Sequence, residues 1–339
     1  MTVDRFIVVG ENIHCTRIYK VGGKNVVQAA DGTHAIEYKA AGKARRLPIP
    51  PHFTQTADWA AAKVKHCAVA VWQGNYGSKD GQAAGIDYLQ SLAREQAGTG
   101  AAYLDINVDE FSTDVAERVR LMKWTVDVLQ KAVKIPMSID SSNMEILRAG
   151  LEACDRSRGR PMVNSVSLER LAAVEVAREF NAVVIASAAG EKGLPSNNEE
   201  RLQNVGNLMA HLRKSGFDAA AIHVDPLVFP ISTDGNNGKA FLETVESVRR
   251  SYGKDIHIVA GLSNVSFGMP NRKLINQVFA WLAVEAGADG GIVDPLQINA
   301  DILRKLDTQS EAFKLAKDLL LGADEFGMNY IAASREGKI

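Results

Sequence analysis

Short runs of β-branched and apolar residues recur along the chain, each bounded by polar residues or glycine. They are Phe6–Val9, Ala102–Ile106, Pro136–Ile139, Met162–Asn164, Ala182–Ala186, Ala219–Val224, Ile256–Gly261 and Gly291–Val293. The runs are continuous rather than alternating, as in strands buried on both faces. Between them apolar residues fall at helical spacing. Gly85–Gln96 carries Ile86, Leu89, Leu92 and Ala93; Asp114–Val133 carries Val115, Val119, Leu121, Met122, Val126 and Leu129. Asn143–Cys154 opens on an Asn suited to N-capping. Leu168–Phe180, Asn197–Ser215, Ala240–Tyr252, Asn271–Ala286 and the tail Asp301–Phe326 continue the helical pattern. Eight strands alternating with about eight helices predict an α/β fold, a closed (β/α)₈ TIM barrel, with residues 1–339 as one domain. An open doubly wound sheet is the alternative.

One stretch interrupts the alternation. After the first strand, the next barrel helix does not arrive until about Gly81. Residues Cys15–Lys79 contain Gly22-Gly23, Asp31-Gly32, Pro48–Pro51 and a helix-like Thr56–Val71, and segments such as Ala35–Tyr38 suggest a small hairpin. The segment 15–79 is therefore an insertion in the first βα loop, on the face where barrel active sites sit. A lid-like subdomain is the preferred reading; a surface decoration or an oligomer contact are the others.

Charge and composition narrow the class. Among 339 residues, 39 Lys+Arg oppose 40 Asp+Glu, a net charge of -1. This is not the markedly basic balance of a general nucleic-acid binder. No apolar run approaches the roughly 20 residues needed to span a bilayer. The start MTVDRFIVVGENIH lacks a long apolar segment with a small-residue cleavage site, so no signal peptide is expected. The cysteines Cys15, Cys67 and Cys154 are too scattered for a disulfide framework. A cytoplasmic α/β protein is the expectation.

In a barrel, residues at the C-terminal ends of strands face the site. Those positions read Glu11-Asn12, Asp105 and Asn107, Asp140, Asn164, Ser187, Asp225, Asn264 and Asp294. Carboxylates and carboxamides in this number suit a polar, amide-rich heterocycle: a carboxylate accepts parallel hydrogen bonds from an amino group and an adjacent ring N–H. Each also has a structural reading. Asp225 and Asp294 precede prolines, where Asp organises turns, and Asp140 lies in a helix N-cap region. The repetition from strand to strand favours the functional reading. No phosphate loop, G-x-G-x-x-G or H-E-x-x-H occurs. His14-Cys15 and His66-Cys67 lack the spacing of a zinc ligand set, so packing is their expected role and no metal site is expected.

Several segments occur in order: Gly10-Glu11-Asn12-Ile13, Tyr103-Leu104-Asp105-Ile106-Asn107, Ser138-Ile139-Asp140-Ser141-Ser142-Asn143, Val163-Asn164-Ser165 and Asp225-Pro226-Leu227. Gly261-Leu262-Ser263-Asn264-Val265-Ser266 and Asn271-Arg272 follow. This series resembles the pterin-binding methyltransferase family, which includes methyltetrahydrofolate:corrinoid protein methyltransferases and the folate module of cobalamin-dependent methionine synthase. The resemblance implies methyl transfer between N5 of tetrahydrofolate and the cobalt of a corrinoid (cobalamin) held by a partner protein. It also implies a homodimer. Carried over by motif, Asp140, Asn164 and Asp225 would hydrogen-bond the pterin. Gly261 and Ser263 would shape its pocket, Asn264 would sit near N5 as the catalytic group, and Arg272 would lie near the site. Glu11, Asn12, Asp105, Asn107 and Asp294 are further candidates. Phe267 stands where the smaller corrinoid-protein methyltransferases resemble a polar Gln, which leaves that role at N5 vacant or filled by Asn264 alone. No D-x-H-x-x-G corrinoid-binding segment occurs, so a corrinoid would be carried by another polypeptide or be free.

Other readings predict different behaviour. A corrinoid-independent methyltransferase would use the insertion to hold a small methylated compound. A dihydropteroate synthase would need a Lys…Ser-Arg segment and an N-x-T-x-D-S-F loop, neither of which is found. A non-catalytic folate-binding protein would bind a pterin without turnover.

Overall fold

The computed structural model describes residues 3–339. The parallel strands are Ile7–His14, Tyr103–Asn107, Met137–Asp140, Met162–Val166, Val183–Ser187, Ile222–Asp225, His257–Ala260 and Gly290–Val293. They follow one another in chain order around a closed barrel. The barrel reading holds, and the open sheet is excluded by the pairing of Ile7–Gly10 with Gly290–Val293. Glycine at position 290 is required by that pairing, since a Cβ there would lie 2.0 Å from the Ile7 carbonyl oxygen.

Two compact units make up the chain: Met1–Gly10, Thr99–Tyr103 and Met162–Ile339 form the first, and Glu11–Gly98 and Leu104–Pro161 the second. In the first, Val9, Met162, Val183, Ile185, Ala221, Val259 and Ile292 meet in one buried apolar cluster. Removing such continuous apolar runs from water is what drives these strands together. Helices Asn198–Lys214, Asn237–Tyr252 and Arg272–Ala286 cover them. In the second, helices Val115–Gln130 and Met144–Ala153 follow their strands, and Asn143 caps the latter by accepting from the Glu145 and Ile146 N–H groups.

The insertion lies in the second unit. Its expected hairpin is real, His34–Ala40 against Lys43–Pro48, and gains a third strand, Val26–Gln28. This sheet rests on the helix Lys79–Gly98 through Tyr38 Oη to Asp87 (2.8 Å) and Ser91 Oγ to the Lys39 carbonyl (2.9 Å). The expected helix Thr56–Val71 is instead a turn of helix at Ala57–Ala60, a strand Lys63–Lys65 and a helix His66–Tyr76. Ala62 has a left-handed φ of 57°, which breaks the helix and lets Lys63–Lys65 pair with Ile18–Lys20. Other boundaries move as well. Ala219–Ala221 is a 3₁₀ turn ahead of its strand. Leu168–Arg170 is a 3₁₀ turn ahead of helix Ala172–Glu179. The tail breaks into Ala300–Arg304 and Glu311–Leu320, because Ser310 caps the second helix by accepting the Phe313 N–H, its own hydroxyl donating to the Asp307 carbonyl.

Candidate active site

In the first unit, Asp225 ends the strand Ile222–Asp225 and its Oδ1 accepts the Leu227 N–H at 2.8 Å. Pro226 and a left-handed Leu227 (φ 66°) force this turn, which holds the carboxylate at the strand mouth. Burial pushes the Asp225 carboxyl up to about 6; the Leu227 and Gly261 N–H groups and the positive charge of Arg201 only partly oppose it. Gly261 follows the neighbouring strand His257–Ala260 and caps the 3₁₀ turn Leu262–Ser266. A Cβ on Gly261 would lie 3.2 Å from Asn264 Nδ2, so the carboxamide of Asn264 is folded over this glycine. Asp225, Gly261 and Asn264 therefore form one polar corner.

Arg272 braces that corner. Its Nε donates to Ser266 Oγ and its Nη2 to the Ser263 carbonyl, both at 2.9 Å, and its guanidinium lies 4.4 Å from the ring centre of Phe267. Arg272 thus fastens the turn that presents Asn264. Asn164, half-buried, lies at register with Ile185 in the strand Met162–Val166, and its bond to Ser165 is cis.

In the second unit the organising group is Asp140. Its Oδ2 accepts from Asn107 Nδ2 at 3.0 Å and lies 3.3 Å from His14 Nε2. The Thr16 N–H donates to His14 Nδ1 at 3.3 Å, so Nδ1 is an acceptor and the ring proton sits on Nε2, facing Asp140. Thr16 Oγ1 reinforces this at 2.6 Å. The loop beyond is held by Asp109, which accepts from Ser141 Oγ, Ser142 N and Ser142 Oγ at 2.6 to 2.9 Å.

The profile of the family described as "Pterin binding enzyme" matches residues 73–294. The chain is 32% identical over 259 residues to a methylcorrinoid:tetrahydrofolate methyltransferase from Eubacterium limosum, covering 74% of this chain and 89% of that protein. The chain belongs to the pterin binding enzyme family. This pterin binding enzyme also shares its fold with dihydropteroate synthases. One from Xanthomonas albilineans, in complex with 7,8-dihydropteroate, gives a TM-score of 0.52 at 18% identity over 71% of this chain and 88% of that one. Another from Stenotrophomonas maltophilia gives 0.50 at 18%, again over 71% and 88%. At such identities the likeness is one of fold.

The remaining candidates of this pterin binding enzyme fall into place as follows. Asp105 is buried one layer below Asn107 and accepts from Ser138 Oγ at 2.6 Å, a supporting position. Glu11 and Asn12 lie within the first strand rather than at its end, because that strand runs to His14. Glu11 pairs with Arg17 at 2.5 Å, and the Asn12 backbone is tied to Gln96 and Cys67. Both Asp294 carboxylate oxygens serve their own turn, accepting from Leu296 N and Gln297 Nε2. Ser187 accepts from the Ala189 N–H. Ser263 contributes its backbone carbonyl to the Arg272 brace.

His14, beside Asp140, and Asp109, which holds the loop after it, are partners that the sequence pattern does not single out, although His14 shares strand parity with Asn12. Cys67 and Cys15 are buried thiols, Cys67 pushed up to about 12 by burial, and His66 is held neutral beside Tyr88 Oη at 2.9 Å. Among the described residues no three His, Cys, Asp or Glu side chains are grouped to hold a metal ion, and no helix is long and apolar enough to cross a membrane.

Proposed function

We propose that this enzyme moves a methyl group between N5 of tetrahydrofolate and the cobalt of a corrinoid carried by a partner protein. The reading is carried by one observation: the G-L-S-N-V-S turn folds the Asn264 carboxamide over Gly261, beside the carboxylate of Asp225. The name of the Eubacterium limosum relative supports the same reaction.

The residues fit a pterin. Asp225 is half-buried with acceptor capacity to spare, which matches a ring presenting an N–H next to an amino group. Asp140 keeps Oδ1 open while Asn107 and His14 hold Oδ2, so it too can accept from a ring donor. Asn164, Gly261 and Ser263 are kept as further pterin contacts on the strength of the resemblance, and Arg272 as the brace of Asn264.

N5 of a methylated pterin is a poor leaving group because it departs as a basic nitrogen. A carboxamide that donates to N5 strengthens its bond as charge develops there, so it stabilises the transition state more than the ground state. We assign this role to Asn264. The corrinoid cobalt supplies the nucleophile, or in the reverse direction the methyl group, so the chain needs no nucleophile of its own. The corrinoid protein as partner, cytoplasmic residence and a homodimeric assembly belong to this reading and rest on the resemblance.

The test is anaerobic absorbance of methylcob(III)alamin mixed with tetrahydrofolate and the protein. Appearance of the cob(I)alamin spectrum, lost with Asn264→Ala, is the expected result. A flat trace with both free methylcobalamin and a methylated corrinoid protein would overturn the proposal.

A further inference from the structure

The insertion carries a charge that the rest of the chain does not. Residues 15–79 hold ten Lys and Arg against three Asp and Glu, whereas the whole chain has 39 against 40. Arg17 is paired with Glu11, Arg46 with Glu37, and Lys65 with both Asp58 and Glu110. Lys20 and Lys63 are exposed, and among the described residues no carboxylate forms an ion pair with either. They stand directly opposite each other where the strand Ile18–Lys20 pairs with Lys63–Lys65. Like charges so placed, about 5 Å apart at Cβ, repel and cost stability. An anion set between them relieves that repulsion.

The same face of this two-stranded ribbon leads to a cavity. Side chains alternate along a strand, so Lys63 and Lys65 share a face, and Lys20 shares it through its pairing with Lys63. Lys65 lines a cavity of about 250 Å³ whose wall includes Phe53, Val64, Trp72 and Phe111. An apolar cavity of about 150 Å³ already takes benzene. At the polar edge the Lys65 ammonium stands between Glu110 at 2.9 Å and Asp58 at 3.4 Å. The two carboxylates keep lone pairs for ligand N–H groups, and the ammonium keeps a third proton for a carbonyl. This cavity is one loop away from Asp140. Glu110 and Phe111 follow Asp109, and Asp109 holds Ser141 and Ser142, the residues next after Asp140. The second unit thus presents, in order, a carboxylate that accepts from ring N–H groups, an aromatic slot with an amide-matching edge, and two cations without an acid.

We propose that the insertion receives the tail of a polyglutamylated tetrahydrofolate. The cavity seats the p-aminobenzoyl ring and its amide, and Lys63 and Lys20 take the carboxylates of the glutamates linked beyond it. Along that ligand come a pterin, an aromatic amide and then a row of carboxylates, the same order as the surfaces. With Lys20, Lys63 and Lys65 against Asp58 and Glu110, the path of the tail is net positive. The inference rests on the folate assignment made above and extends it to the part of the substrate that none of the pterin contacts would touch.

The test measures dissociation constants for 6-methyltetrahydropterin, tetrahydropteroylglutamate and tetrahydropteroylpentaglutamate by anaerobic calorimetry. The monoglutamate should bind about tenfold tighter than the bare pterin, through burial of its ring. The pentaglutamate should bind about tenfold tighter again at low salt. That second gain should shrink as salt rises, because exposed charges are screened. In the variant Lys20→Gln with Lys63→Gln, the ratio between mono- and pentaglutamate should fall to near one. This variant should fold, since it removes a repulsion. Trp72→Ala should shrink the ratio between bare pterin and monoglutamate. If Trp72→Ala does not fold, the wild-type ratios and the lysine variant decide. Equal wild-type affinity for mono- and pentaglutamate overturns the proposal. A gain that survives in the lysine variant also overturns it and leaves the ribbon to another polyanion. Equal binding of all three compounds would sink the tail alone, whereas binding of none would sink the pterin reading with it.

Discussion

Asn107 donates an amide proton to Asp140 Oδ2 across 3.0 Å, from the strand Tyr103–Asn107 to the strand Met137–Asp140. The bond fixes which carboxylate oxygen is spent on the protein and which is offered outward. Asn107→Ala should therefore weaken pterin binding about tenfold with the circular dichroism spectrum unchanged, since one charge-assisted hydrogen bond that orients the ligand group is lost. Fluorescence titration with tetrahydrofolate measures this. A dissociation constant equal to the parent's would remove Asp140 from the pterin contacts.

Gly261 and Asn264 form a coupled pair. The backbone of Gly261 has φ -71°, outside the left-handed region, so its φ does not exclude alanine. Its methyl would press on Asn264 Nδ2 from 3.2 Å. Gly261→Ala should lower kcat about tenfold by moving the carboxamide, and Asn264→Ala about a hundredfold by removing it. The double variant should be no slower than Asn264→Ala alone, the non-additivity of residues that act as one. Single-turnover rates for the four proteins test it; additive losses would separate the two residues.

Asp225 sets a pH dependence. With its carboxyl raised to about 6, it is ionised, and able to accept from the pterin, only above that pH. Binding should weaken as pH falls below about 6, and Asp225→Asn should flatten the profile. Stability moves oppositely. A raised folded pKa contributes stability that is present below the unfolded value of about 4 and is lost as pH rises through about 6. The stability of Asp225→Asn relative to wild type should therefore rise between pH 4 and 6, by about 2–3 kcal/mol in total. Urea melts across that window measure it, and a constant difference would contradict the assignment.

A buried ion pair holds the strand His257–Ala260 in the first unit. Asp289, 7% exposed, pairs with Arg249 and accepts the Ile258 N–H at 2.8 Å. Arg249→Met strands that carboxylate and should destabilise the protein by about 3–5 kcal/mol. Arg249→Met with Asp289→Asn should recover part of the loss. Chemical denaturation reports both; a single-variant loss below about 1 kcal/mol would mean solvent reaches Asp289.

The order of elements was legible from residues alone. Eight apolar runs at regular spacing can be satisfied only by strands covered on both faces, and Asn143 announces the helix it caps. The recurrence of polar groups where the apolar runs stop was equally visible in the sequence, as Asp140, Asn164, Asp225 and Asp294 show. What pattern could not decide was which of those groups serve one another. Asp294 spends both carboxylate oxygens on its own turn, while Asp140 keeps one in reserve through Asn107 and His14, residues 33 and 126 positions away in the chain. The break at Ala62 and the burial of Arg201 likewise depend on distant partners: the strand Ile18–Lys20 in one case, Thr244 in the other. Periodicity is a local property that a short window records. Hydrogen bonding and desolvation are set by whatever the closed chain brings alongside, and only the tertiary structure specifies that.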